Sequence, residues 1–424
     1  MKGYVSLLAA AVAVAAPACY AGQDSVVERS LRPEARPAVA MAVATSTEVR
    51  VSDIGFEEWI TGFRARAAYE GISAETLDRA FAGVAYDADV IARDNNQAEF
   101  TRTIWEYLDR AASDERVAHG QTALMKNAAL LSRIEDAYHV PAEIVTAIWG
   151  MESAYGGFRG TENVIQALAT LAYDGRRGAF FEGQLVAALQ ILESGDVAPE
   201  DMTGSWAGAM GHTQFIPTSF LAHAVDFDGD GKRDIWSDDP TDALASTAAY
   251  LAEAGWVEGQ PWGMEVILPD GFDVALTGRS VKKGSEDWNA LGVRDVHGAA
   301  VSDHGEASII LPAGAGGAAF MVFRNFRVLE RYNAADAYVI GVGHLADRIR
   351  GGPAIRSEWP RDLRALVRDE RVEMQERLTA AGYDTQGIDG RIGPNTIAAI
   401  RGFQRSVGML PDGYASTLVL ERLR

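Results

Sequence analysis

One glutamate on an apolar face, one run of evenly spaced aspartates and two loops rich in glycine, amide and guanidinium groups are where this chain could do chemistry. In Ile144-Val145-Thr146-Ala147-Ile148-Trp149-Gly150-Met151-Glu152 apolar residues recur at helical spacing, and continuing Val145 and Trp149 by three residues reaches Glu152. A carboxyl group on an apolar stripe, near the end of an almost chargeless helix, loses hydration. That disfavours its anion and suits it to donate a proton near neutral pH. A capped or ion-paired buried glutamate fits the same pattern, so the helix alone leaves both readings open. Pro141 and Glu143 suit its first turn and Gly156-Gly157 its end.

The aspartates give the sharpest spacing. Asp226, Asp228, Asp230 and Asp234 occupy positions one, three, five and nine of a loop with Gly231 at position six. That is the pattern of an EF-hand calcium loop, in which hard oxygen ligands at alternate positions converge on one ion. Lys232 would contribute its backbone carbonyl. At position twelve Ser237 replaces the usual bidentate glutamate, so a later carboxylate, from Asp238, Asp239 or Asp242, has to close the site. An Asp/Gly-rich surface turn without metal is the alternative.

The stretch Gly204 to Pro217 carries Ser205, His212 and Gln214 among glycines that let backbone approach a ligand closely. Ser and Gln can read hydroxyl and acetamido groups through neutral hydrogen bonds. His212 does not make a Ser/His nucleophile, because no Gly-x-Ser-x-Gly turn precedes it. Arg176-Arg177 reads either as solvated surface or as a bidentate clamp for an anionic group.

These residues need elements to hold them, and the 424-residue chain, 48% hydrophobic, has room for more than one domain. Its formal charge of −20 argues against nucleic acid or an anionic membrane surface as the main partner. Lys2, an apolar run from Val5 to Ala16 and the small residues up to Ala21 read as a signal peptide over 1–21. Cleavage there removes Cys19, the only cysteine, and with it disulfide and thiolate chemistry. Alternatively Cys19 carries a lipid anchor; either way the protein is exported. Residues 22–50 read as a disordered tether. Helices follow through Phe56–Phe63, from Ser73, over Gln97–Ala111 and Gln121–Tyr138, then the Glu152 helix, Asn163–Leu171 and Gly178–Leu192. Trp262 to Phe323 reads as a small β region, and Tyr332 to Leu345 as helix again. Residues 351–360 read as a linker and 361–424 as a separate small helical unit.

Ile148–Gly157, Gly204–Pro217, the aspartate loop and Arg331-Tyr332-Asn333 stand in the order found in B-type lytic murein transglycosylases, which the chain resembles from about Asp53 to Leu345. The tail resembles the three-helix peptidoglycan-binding module through Gly382-Tyr383, Ile388-Asp389-Gly390, Gly393-Pro394, Thr396 and Phe403-Gln404. The resemblance implies a mainly α fold of the α+β class: a lysozyme-like catalytic domain over 51–350 with a small β subdomain, plus the binding module. It implies Glu152 as sole catalytic acid/base and sugar-binding roles for Tyr107, Arg176, Arg177, Ser205, Gln214, Tyr250, Tyr332, Asn333 and Tyr338. It implies a structural calcium ion held by Asp226, Asp228, Asp230, Lys232 and Asp242, with no organic cofactor. In the family the closing aspartate follows a proline; here Pro240-Thr241 precedes Asp242, after a Ser-Asp-Asp insert. The implied partner is the peptidoglycan glycan strand in the periplasm. The implied reaction is non-hydrolytic cleavage to a 1,6-anhydro end, with a hydrolytic muramidase or a non-catalytic wall-binding scaffold as the other readings.

Overall fold

The computed structural model describes residues 46–95 and 102–424. The expected signal peptide, Cys19, Phe100 and most of the expected tether lie outside the described residues. The helix Ser46–Tyr69 begins inside the stretch read as tether, since Pro37 is the last residue there that would break a helix.

Two helical cores form most of the molecule. One joins Ser46–Tyr69, Ala74–Ala80, Val164–Asp174, Gly178–Ser194 and Pro217–His223 around Phe56, Phe63, Leu168, Phe181 and Phe220. The other packs Asp114–Lys126, Ala128–Tyr138, Ala142–Ser153, Thr241–Glu253 and Asp336–Ile349 around Ile148, Leu244, Phe326 and Ile340. The Glu152 helix is central to this second core: Ile144 through Gly150 are all buried, which its nearly continuous apolar run requires.

Local chemistry sets the boundaries that periodicity misplaced. The helix expected from Gln97 starts at Ile104, where Thr103 and Glu106 form a reciprocal capping box. The single helix expected over Gln121–Tyr138 is two, Asp114–Lys126 and Ala128–Tyr138. Asn127 leaves helical geometry between them and donates its side-chain amide to the Ala123 carbonyl at 2.8 Å. The helical stretch expected from Tyr332 is likewise split, into Arg324–Tyr332 and Asp336–Ile349.

The β region is a four-stranded antiparallel sheet ordered Arg294–Asp295, Gly263–Ile267, Ala319–Val322, Ser308–Ile310. Side chains alternate across it: Ile309, Ala319 and Met321 fill a small core with Trp288, whereas Ile310, Phe320 and Val322 face the helical core. Both faces are buried, so these strands read as apolar runs without alternation. Trp262, just before the strand Gly263–Ile267, lies so close to Gly343 of the Asp336–Ile349 helix that no Cβ fits between them.

The tail folds around Met374, Leu378, Ile400, Phe403 and Leu420 on the helices Arg368–Ala380, Pro394–Ser406 and Thr417–Leu423. The segment read as a linker lies against the catalytic domain. Ile355 and Trp359 pack on the helical core, and the Arg356 and Ser357 amides donate to Glu265 at 2.9 and 2.7 Å. Its two aromatic and aliphatic side chains are what a free tether would lack.

Candidate active site

Glu152 sits in the last turn of Ala142–Ser153, half-buried. The helix ends earlier than Gly156-Gly157 suggested, because Ala154 and Tyr155 take left-handed backbone before Gly156 does. Two non-glycine residues in that region cost of order 1–2 kcal/mol each, so something must hold them. The Tyr155 hydroxyl donates to the Arg116 carbonyl at 2.7 Å, its ring fills the space left by Gly150, and Gly156 leaves room for His212.

His212 braces this turn. Its Nδ1 accepts from Trp149 Nε1 at 3.1 Å, and its Nε2 faces the Ser237 carbonyl at 2.7 Å and the Arg159 guanidinium at 3.2 Å, an arrangement that suits a neutral ring. Burial pushes its pKa down, as that role needs. Ser153 Oγ donates to the His212 carbonyl at 2.6 Å and accepts from the Gly156 amide at 2.9 Å. The Gly204–Pro217 loop is thereby laced to the residue next to Glu152. Neither Ser153 nor His212 stood out in the sequence as a brace, since both bonds depend on a contact about sixty residues away in the chain.

On the other side of Glu152 is a column of tyrosines. The Tyr338 hydroxyl donates to Glu152 Oε1 at 2.5 Å. Tyr338 stacks on Tyr332 with centroids 6.4 Å apart and rings 4° from parallel, and Tyr332 meets Tyr250 at 5.4 Å. The Tyr332 hydroxyl donates to the Thr213 carbonyl at 2.5 Å, and Tyr250 to the Arg331 carbonyl at 2.5 Å. Burial, and then the Glu152 charge, push the hydroxyls of Tyr332 and Tyr338 well above the ordinary phenol range, so both stay donors. Tyr107 lies across Gly341 from Met151, with a Gly341 Cβ position 3.0 Å from its ring.

Gln214 holds positive φ in the buried loop and donates its amide to the carbonyls of Arg159 and Gly211 at 3.0 and 2.9 Å. Its Oε1 is buried without a protein partner. Ser205 Oγ accepts from the Ala209 amide at 3.1 Å and Asn333 Oδ1 from the Ala335 amide at 3.1 Å, so both shape their own turns. Arg176 is exposed and Arg177 half-buried, and both guanidinium groups are held in place by a carboxylate. Both bind the buried Asp94: Arg176 Nε to Oδ2 at 2.8 Å, Arg177 to Oδ1 at 2.9 Å. Desolvation of that carboxylate demands paired cations, and Asp94 gave no sign of it in the sequence.

In the aspartate loop, oxygens of Asp226, Asp228 and Asp230 lie within 4.8 Å of one another, and all three residues are exposed. Gly231, at φ +94°, makes the turn that brings them round. Arg233 fixes the loop to Asp196 at 2.6 Å. Asp242 is the expected closing ligand. It is buried, stands outside that cluster, and accepts the Phe227 and Asp234 amides at 2.8 and 2.9 Å, stapling the two ends of the loop. Burial raises its pKa.

A glutamate flanked by a tyrosine column in a lysozyme-like helical frame defines a glycan-cleaving enzyme. Residues 55–347 match the transglycosylase SLT domain family, and 367–423 match a putative peptidoglycan binding domain. The chain belongs to the transglycosylase SLT domain family and is a peptidoglycan lytic transglycosylase. It is 32% identical over 251 residues to membrane-bound lytic murein transglycosylase B of Escherichia coli strain K12, covering 57% of this chain and 66% of that protein. It is similar to SltB3 of Pseudomonas aeruginosa, solved with NAG-anhNAM-pentapeptide, at 50% identity and a TM-score of 0.85 over 87% of this chain and 99% of that one. The lytic transglycosylase Slt35 of Escherichia coli, solved with calcium, is 27% identical with a TM-score of 0.58 over 73% and 98% of the two chains.

Proposed function

We propose that Glu152 alone cleaves the bond between N-acetylmuramic acid and N-acetylglucosamine in peptidoglycan, acting as acid and then as base. The observation that carries this reading is the Tyr338 hydroxyl on Glu152 Oε1 at 2.5 Å, which fixes the carboxyl group at the foot of the tyrosine column. Protonated Glu152 gives its proton to the glycosidic oxygen, and the bond to the muramyl anomeric carbon breaks. The C6 hydroxyl of the same muramyl residue attacks that carbon, and Glu152 takes the hydroxyl proton. The net change is one glycosidic bond exchanged for an internal 1,6-anhydro bond, with no water consumed. The anhydromuramyl ligand bound by SltB3 supports this product. A second carboxylate at ~5–10 Å, which hydrolysing glycosidases keep, is not called for.

The tyrosine faces and the buried, unpartnered Oε1 of Gln214 suit a sugar's apolar face and its acetamido N–H. Tyr107, Ser205, Tyr250 and Asn333 are the further candidates for sugar contact, with Arg176 and Arg177, both held on Asp94, as the cationic ones. The test is Glu152→Gln, which keeps shape and removes the proton. Clearing of a sacculus suspension should fall by about 10⁴-fold with an unchanged thermal melt. Near-normal clearing would remove the assignment.

The oxygens of Asp226, Asp228 and Asp230 and the Lys232 carbonyl are hard donors that fit calcium. Bound there, the ion would rigidify the loop, and no chemical step runs through it. Melts of the wild type should shift upward with calcium and those of Asp230→Ala should not; an equal response in both would exclude the loop. Peptidoglycan as substrate puts the enzyme's work in the periplasm. Among the described residues no helix is long and apolar enough to cross a membrane.

A further inference from the structure

A second cleft takes no part in this chemistry. It has a volume of about 530 Å³ and lies between the strand Ser308–Ile310 and the helix Arg324–Tyr332, with Lys282 and Glu306 on its β side. Arg324, Arg327 and Arg331 stand at i, i+3 and i+7 of that helix and so share one face, while Phe326 and Leu329 are buried beneath them. All three arginines and Lys282 are exposed. Among the described residues no ion pair joins any of the four to a carboxylate. Glu330, the nearest acid on the helix, is taken by Arg279, which also pairs with Asp336. Glu306 is the cleft's other acid and is exposed. Gly255, at φ +93°, leaves room for the Arg324 guanidinium, 2.9 Å from where a Cβ would stand.

Four exposed cations outside any salt bridge, of which only Arg327 lies within reach of Glu330, make this cleft cationic in a chain of formal charge −20 and suit it to anions. The cleft also adjoins the active site. Arg331 precedes Tyr332 of the tyrosine column, and its carbonyl accepts the Tyr250 hydroxyl. We infer that this cleft binds the carboxylates of the stem peptide carried by the glycan strand held at Glu152. The inference rests on the proposed reaction, and the chemistry of the substrate selects the ligand. Sugar hydroxyls and acetamido groups are neutral, and the muramyl lactyl carboxyl is consumed in the amide to the peptide. The free carboxylates of an intact strand are therefore on the stem, and guanidinium groups match carboxylates bidentately.

Three soluble strands separate the contributions: stem-bearing, stem-bearing with its carboxylates converted to amides, and stripped of peptide. For the wild type, kcat/KM should fall by about tenfold from the first to the second, the size expected for loss of one charge-assisted contact. The Arg324→Gln/Arg327→Gln double variant should lose that ratio, and Arg327→Lys, which keeps the charge without the fork, should keep only part of it, with circular-dichroism melts unchanged. A double variant that retains the wild-type ratio, or a wild type that responds only to stripping and not to amidation, overturns the inference. Wild-type inactivity on all three strands would strike at the proposed reaction instead. Calorimetric titration of the free stem peptide then still decides the cleft. Saturable heat that disappears in the double variant supports it, and equal heats in both proteins overturn it.

Discussion

At the residue scale the account turns on how a single carboxyl group is oriented. Tyr338 supplies its hydroxyl from an almost fully buried ring, 3% exposed, so the donor does not compete with water. Hydrogen bonds to charged groups are worth ~1.5–3 kcal/mol. Tyr338→Phe, which keeps the stack on Tyr332, should therefore lower kcat by roughly ten- to a hundredfold with little change in KM and a melt lowered by about a few degrees. A variant with wild-type kcat would show that the bond is structural. Glu152 was legible in the sequence because an acidic residue interrupts an apolar helical stripe. Its surroundings were not. His212, set aside as a nucleophile partner from the sequence, is a brace whose contacts no local pattern announced. Asp242 was named as a closing ligand, but its acceptance of two loop amides was not foreseen, because that burial is decided by tertiary contacts. Arg176 and Arg177 read as solvated surface or as a clamp; Arg176 is exposed, and both pair with Asp94, whose environment no local pattern announces.

At the element scale, existence and type were legible and ends were not. Helices with a clear stripe were read correctly, whereas Asn127 and Asn333 broke runs that periodicity joined. The Asp336–Ile349 helix, which carries Tyr338, also holds two buried titrating groups of opposite sign three residues apart. Burial drives His344 down to about 4 and Asp347 up to about 6. For His344 the unfolded state binds more protons between about pH 4 and 6.5, so its contribution to stability rises with pH across that window. For Asp347 the folded state binds more protons between about 3.8 and 6, so its contribution falls as pH rises there. The two slopes oppose each other, each reaching at most ~1.4 kcal/mol per pH unit, and should leave the wild type nearly flat between pH 4 and 6. His344→Asn should expose a falling slope with rising pH, and Asp347→Asn a rising one, in denaturant titrations at each pH. Parallel slopes in the two variants would contradict this assignment.

At the scale of the whole molecule, the units are held together more closely than composition suggested. The Gly/Pro-bearing segment after the catalytic fold is strapped down by Trp359 against Trp105, and Arg361 pairs with Asp109 at 2.8 Å. The tail touches the β subdomain through Asp412, which accepts the Ala315 amide at 3.0 Å, and through Arg401, which donates to Thr277. Sequence could mark these units by their motifs but not their contact, which depends on single polar side chains meeting a distant backbone. The proposed outcome is a strand cut in which Glu152 gives up one proton and takes one back, without water entering the product. Digestion of sacculi in water enriched in oxygen-18, followed by mass spectrometry of the released muropeptides, measures that directly. The account predicts anhydromuramyl ends with no heavy oxygen, each lighter by one water than a reducing end. Products carrying one heavy oxygen at a reducing muramyl end would contradict it and make the enzyme a hydrolase.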